Sequence, residues 1–202
     1  MKAVILISGS GSNLQSIIDN ANKIDLQISC VISNNKNAFG IERARSSKIK
    51  TAIIEPELFD SKEAFDKELI NIINQHEVEL IILAGYMRIL TSIFISNYFG
   101  KILNIHPSLL PKFPGLNTHQ RAIDASEKIH GVSVHFVTEE LDNGPVISQE
   151  SVRINEFDTA ETLSIKVLKK EHLIYPKVIH WYTQKRLKLI NNLYVTLDGN
   201  II

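Results

Sequence analysis

The sequence predicts an α/β fold: a mostly parallel sheet flanked by helices, with a mixed antiparallel edge toward the C-terminus. Three observations carry this reading. Short β-branched apolar runs alternate with helical periodicity in the first half, a Pro-rich stretch breaks that pattern after Leu103, and a strict apolar–polar alternation follows at Val132–Val137. Strands alternating with helices imply βαβ units, whose crossovers are right-handed almost without exception.

The strands expected first are Ala3–Ile7, Ile28–Ile32, Thr51–Ile54 and Leu80–Ala84. Between the last two, Asp60 with Glu63 three residues on has the form of a capping box. Phe65, Leu69, Ile72 and Ile73 then recur at helical spacing. Pro107, Pro111, Pro114 and Gly115 force an irregular extended loop. A short helix near Thr118–Ser126 leads to the strand Val132–Val137, with Pro145–Val152 as its partner. Asp158 with Glu161 gives another capping box, opening a long helix to about Trp181, and Leu187–Leu197 closes the chain as a terminal hairpin.

Composition bounds the function. The 202 residues carry 22 basic and 22 acidic side chains, a formal net charge of zero, so there is no basic excess to displace phosphate counterions from a nucleic acid. Hydrophobic residues make up 44% of the chain, enough for one substantial core and too many for a disordered chain. The early apolar run Ala3–Ile7 is shorter than the ~7–15 residues of a signal-peptide core and the ~20 of a membrane span. A cytoplasmic protein with no membrane partner is expected. Cys30 is the only cysteine, which excludes an internal disulfide and a Cys-rich zinc site, and its apolar setting reads as a buried structural thiol.

Three segments can carry chemistry. Strand one runs into Ser8-Gly-Ser-Gly-Ser-Asn13 and a helix, where glycines allow a tight turn and the helix N-terminus attracts a phosphate. A dinucleotide fingerprint would need a third glycine and an acidic residue after strand two, where Ser33-Asn34-Asn35 stands, so NAD is disfavoured. Further on, Asn104 and His106 share one strand face beside the Pro-rich loop. There an amide can donate to a developing oxyanion while an imidazole moves a proton. The third segment, Glu139–Pro145, is a turn in which Asp142 and Gly144 can serve turn chemistry alone. Folded back, Asp142 would orient His106 and favour its charged form. His76, His130 and His180 lie in polar or terminal surroundings, His135 shares a face with Ser133, and His119 follows the Pro-rich loop. No His-x-x-x-His pair or carboxylate cluster suggests a metal.

With Leu6–Leu14, Ala38–Ala44, Leu83–Leu90, Asn104–Pro111 and Gly131–Val146 in this order, the chain resembles the phosphoribosylglycinamide formyltransferases, folate-dependent transformylases of purine biosynthesis. The resemblance covers nearly the whole chain. It implies a Rossmann-like formyltransferase fold and one domain, 1–202, with a phosphate-binding half to about residue 100 and a catalytic, folate-binding half beyond it. It implies transfer of a formyl group from 10-formyltetrahydrofolate to the amine of 5'-phosphoribosylglycinamide without metal or NAD, by a monomer or homodimer. The catalytic trio implied is Asn104, His106 and Asp142. Gly11, Ser12 and Asn13 match the phosphate cradle, and Glu171 a carboxylate for the ribose hydroxyls. The folate site maps to Met87, Arg88, Ile89 and Leu90, to Thr138, Glu139, Glu140, Leu141 and Asp142, and to Asn104. The family often has Arg in the segment that reads Asp60–Glu63 in this chain, so Lys62 would meet the folate's glutamate tail as a point charge without a bidentate fork.

Two relatives by resemblance fit the length less well. Methionyl-tRNA formyltransferase needs an added RNA-binding domain, and formyltetrahydrofolate deformylase an N-terminal regulatory domain, whereas Met1 leads straight into strand one. A noncatalytic phosphoribosyl-ligand sensor is the alternative from another class, and retention of the whole trio argues against it.

Overall fold

The computed structural model describes residues 1–191 and 193–202, which fall into two compact units, 1–104 and 105–202. The first unit contains β1 (Lys2–Ile7), α1 (Ser12–Asn20), β2 (Gln27–Ser33), α2 (Phe39–Ser46), β3 (Thr51–Ile53), α3 (Lys62–Asn74), β4 (Leu80–Leu83) and α4 (Ser92–Asn97). Strand β5 (Ile102–His106) crosses the boundary between the units. The pairs β1–β2, β1–β4, β2–β3 and β4–β5 are all parallel, with Ile5 opposite Val31 on one side and Ile82 on the other. Residues 3–7 are fully buried, as a strand covered on both faces must be.

Each of the four expected strands is present within a residue of its expected limits. The start of α3 differs. Ser61, not Asp60, is its N-cap, the hydroxyl accepting the Ala64 N–H at 3.0 Å. Two capping residue types stand side by side, and the apolar period does not choose between them. Glu63 stays in the first turn either way, where it faces the positive end of the helix dipole. Phe65, Leu69 and Ile73 form the buried stripe. Cys30 is buried as expected, and burial raises its thiol to about 11, which keeps it protonated and unreactive.

The second unit holds α5 (Thr118–Asp124), β6 (Ile129–Phe136), β7 (Val146–Arg153) and α6 (Ala160–Thr183), followed by β8 (Leu187–Ile190), β9 (Tyr194–Leu197) and β10 (Asn200–Ile201). Strands β6 and β7 pair antiparallel, with a register shift between Val134 and His135. The seven strands follow the order β3-β2-β1-β4-β5-β6-β7, a mostly parallel sheet with an antiparallel edge. At α6 the cap is again one residue later than expected. Thr159 and Thr162 bond each other's backbone N–H, while Asp158 is taken up by the Asn155 N–H, the Thr162 hydroxyl and Lys166. The expected hairpin forms as β8–β9, position 192 lying outside the described residues, and β10 extends it to three antiparallel strands. Among the described residues no helix is long and apolar enough to cross a membrane.

Candidate active site

The glycine-rich turn of the first unit is built by close backbone packing. Gly11 is the residue before α1 and has φ +71°, and a side chain there would also bring a Cβ to 2.6 Å from the Gly40 Cα. The helix that follows has no acidic residue in its first turn, and the first N–H groups of any α-helix lie beyond its i→i−4 ladder at the positive end of its dipole. Two successive carbonyls of the turn are held by α2: Gly9 accepts the Gly40 N–H at 3.1 Å, and Ser10 accepts Arg43 Nε at 2.9 Å. Ser8 links this turn to the 85–90 loop, its N–H donating to Gly85 and its hydroxyl accepting the Met87 N–H at 2.8 Å. In that loop Met87 and Ile89 are exposed and Leu90 is buried, while the Arg88 guanidinium lies 4.4 Å from the centre of the Phe65 ring. Lys62, the first residue of α3, is exposed.

In the second unit, His106 ends β5 and is buried. Its Nδ1 lies 3.3 Å from Asp142 Oδ2, and its Nε2 lies 2.9 Å from the Phe113 carbonyl. Both ring nitrogens therefore face acceptors. An imidazolium donates to both and a neutral ring to only one. Phe113 holds φ +56°, an unusual conformation for a bulky residue, and this brings its carbonyl to the ring. Asp142 Oδ2 also accepts the Gly115 N–H at 2.9 Å, and Oδ1 lies 3.8 Å from His135 Nε2. Burial pushes His135 below the usual imidazole range, and the His106 charge adds to this. The Phe136 carbonyl, 2.8 Å from Nδ1, and Asp142 oppose it without prevailing. Glu171 is buried on α6, and Leu141 in the 138–142 turn is exposed.

Asn104 precedes His106 by two residues on the same strand, as the alternation requires. His135 is brought to Asp142, but Ser133 on the same strand face is not. Its hydroxyl donates to the Ser108 carbonyl at 2.6 Å and accepts the Leu110 N–H at 3.0 Å and Gln149 Nε2 at 2.7 Å, pinning the start of the Pro-rich loop. His119 pairs with His130, Nδ1 to Nε2 at 3.1 Å.

His130 departs from the sequence reading in one respect: it is 1% exposed, its polar partners buried with it. It also donates to the Pro107 carbonyl, which leaves Nε2 to accept from His119. Burial, chiefly, with the charge of His119 behind it, lowers His130 to about 4. The unfolded chain then binds a proton between about pH 6.5 and pH 4 that the folded chain does not. This contribution to stability is fully present above about pH 6.5 and is lost as pH falls toward 4, at up to about 1.4 kcal/mol per pH unit for one proton. Urea unfolding at pH 4–7 should show a shallower pH slope in His130→Gln than in the parent. Equal slopes would contradict this reading.

Among the described residues no group of three or more His, Cys, Asp or Glu side chains is arranged to hold a metal. The formyl transferase family model matches residues 1–179. Phosphoribosylglycinamide formyltransferase of Escherichia coli is 50% identical over 201 residues, which cover 98% of this chain and 94% of that protein. The human trifunctional purine biosynthetic protein adenosine-3 is 38% identical over 95% of this chain, a match confined to 19% of its own length. The structure of phosphoribosylglycinamide formyltransferase from Coxiella burnetii in complex with CHES superposes with a TM-score of 0.96 at 48% identity, over 100% of this chain and 95% of that one. The chain belongs to the formyl transferase family.

Proposed function

We propose that this protein transfers the formyl group of 10-formyltetrahydrofolate to the amine of 5'-phosphoribosylglycinamide in purine biosynthesis, its two units acting as one formyltransferase domain. The observation that carries the chemistry is the buried contact of His106 Nδ1 with Asp142 Oδ2 at 3.3 Å, in a chain of this family. The substrate amine attacks the formyl carbon, forming a C–N bond and turning the carbonyl oxygen into an oxyanion. Asn104 and protonated His106 stabilise that charge, and the oxyanion would take over the Nε2 N–H that otherwise faces the Phe113 carbonyl. Collapse breaks the bond to the folate nitrogen, which receives a proton with the help of His106, while the attacking nitrogen releases one. Asp142 holds the imidazole by its Nδ1 and offsets the cation's charge.

The ribonucleotide phosphate is assigned to Gly11, Ser12 and Asn13 at the start of α1, and the ribose hydroxyls to the carboxylate of Glu171. The folate is assigned to Met87, Arg88, Ile89 and Leu90, to the turn Thr138, Glu139, Glu140, Leu141 and Asp142, and to Asn104, with Lys62 as the cation for its glutamate tail. Within the first unit, the exposed apolar side chains of Met87 and Ile89 suit contact with a flat ring system.

A spectrophotometric assay with glycinamide ribonucleotide and a formyl-folate donor tests the reading. Folate product should form only when the amine acceptor is present, and release without it would favour a hydrolase. Ser12→Asp sets a negative charge where the phosphate must lie, so ribonucleotide affinity should fall at least about tenfold while folate affinity stays within about twofold. Equal weakening of both ligands in calorimetry, or none for the ribonucleotide, would remove the phosphate assignment.

A further inference from the structure

We propose that Arg43, which takes no part in the contacts assigned to substrate or folate, is a positioning residue for the ribonucleotide phosphate: it acts by turning the peptide groups of the 8–13 loop toward the anion. The inference rests on the phosphate reading of that loop.

A trans peptide is planar, and its N–H and C=O point in opposite directions. Helix α2 grips two successive carbonyls of the loop: its Gly40 N–H holds the carbonyl of Gly9, and Arg43 Nε that of Ser10. With those carbonyls held on the α2 side, the N–H groups of the same peptides, which belong to Ser10 and Gly11, must point away from α2. Consecutive N–H groups fixed on one side of a turn form an anion-binding concavity. They precede the first turn of α1, whose N–H groups carry the positive end of the helix dipole.

Arg43 itself is fixed on several sides. Its Nη1 donates to Gln15 Oε1 at 3.4 Å, and its guanidinium lies 4.9 Å from the centre of the Phe39 ring. Its Cδ packs 3.4 Å from where a Gly11 Cβ would stand, so the absent side chain at Gly11 makes room for the arginine stem as well as for the backbone turn. Glu42, the adjacent residue and the single carboxylate of α2, is engaged with Arg45 at 2.8 Å, so the helix directs its negative charge to Arg45 and the Arg43 fork to the loop. One side chain thus spans from the loop to α1, bonding to a carbonyl and an amide through a planar fork. Lysine, whose three donors share one nitrogen at the end of a flexible stem, lacks this fork.

Calorimetry with two ligands, glycinamide ribonucleotide and its dephosphorylated riboside, tests the proposal. Arg43→Gln should weaken the ribonucleotide about 10–100-fold, the scale of a charge-assisted hydrogen bond, and leave the riboside within about twofold. In steady state the ribonucleotide KM should rise by the same factor, with a much smaller change in kcat. Arg43→Lys keeps the charge but not the fork, and should remain at least about fivefold weaker than the parent. Full recovery in the lysine variant would mean that charge alone acts and would overturn the positioning role. Equal weakening of both ligands would overturn it in favour of general structural support. Ser12→Asp distinguishes failure of the Arg43 role from failure of the phosphate site. If it abolishes ribonucleotide binding while Arg43→Gln binds like the parent, Arg43 has no positioning role and the phosphate site stands. If Ser12→Asp binds like the parent, the phosphate site itself is misplaced and the proposal falls with it.

Discussion

Asp142→Asn should lower kcat by about two to four orders of magnitude, with both KM values within a few-fold and stability nearly unchanged. The structure makes this substitution unusually clean. Asp142 sits at φ +50°, a conformation that asparagine tolerates at least as well as aspartate. An amide oxygen in place of Oδ2 still accepts the Gly115 N–H and still faces His106 Nδ1. The amide nitrogen then takes the place of Oδ1, facing His135 Nε2, which is the acceptor of that ring because Nδ1 donates to the Phe136 carbonyl. Shape and hydrogen bonding are kept and only the charge is lost. The drop in kcat therefore measures how much that charge supports a cationic His106 in the transition state. Combining Asp142→Asn with His106→Ala should cost little more than His106→Ala alone, since groups acting as one unit are not additive. Multiplicative losses would show that Asp142 works independently of His106 and would overturn the paired assignment.

How much of the fold and the site is legible in the sequence depends on the range of the interaction. The parallel strands can be read because each is buried on both faces and so is apolar along its length, as in residues 3–7. The helix caps are legible only to within one residue. Asp60 beside Ser61, and Asp158 beside Thr159, offer equivalent chemistry, and the choice turns on contacts such as Asp158 with Lys166 that spacing does not specify. His130 is misread when the alternation is counted only from Val132. Strand β6 starts at Ile129, and counting back by two places His130 on the face of Val132 and Val134. That signal is present in the sequence. Arg43 is not legible: an arginine on a short amphipathic helix reads as solvated surface, and its role depends on where the Ser10 carbonyl points. The Phe113 carbonyl is equally hidden, because a backbone group in a positive-φ loop leaves no side-chain trace.

Gly144→Ala should be nearly as damaging to activity as Asp142→Asn, for a reason that no side-chain chemistry at position 144 would suggest. A Cβ built there falls 1.8 Å from the Phe136 carbonyl oxygen and 2.9 Å from its carbon. The obstacle is backbone, and it is itself tied down: that carbonyl accepts from His135 Nδ1, and the Phe136 N–H donates to the Pro145 carbonyl at 3.1 Å. The 138–144 turn must therefore move instead, and it carries Asp142 away from His106. Overpacking of this kind typically costs about 1–3 kcal/mol of stability. The catalytic cost should be larger in proportion, about a hundredfold or more in kcat, because a displacement of about 1 Å at a catalytic group can cost that much. If the loss arises through Asp142, the double variant Gly144→Ala/Asp142→Asn should be no slower than Asp142→Asn alone, although it should unfold at lower denaturant concentration. Parent-like kcat in Gly144→Ala, or a double variant slower by the product of the two losses, would show that the turn's close approach to Phe136 does not set the position of Asp142.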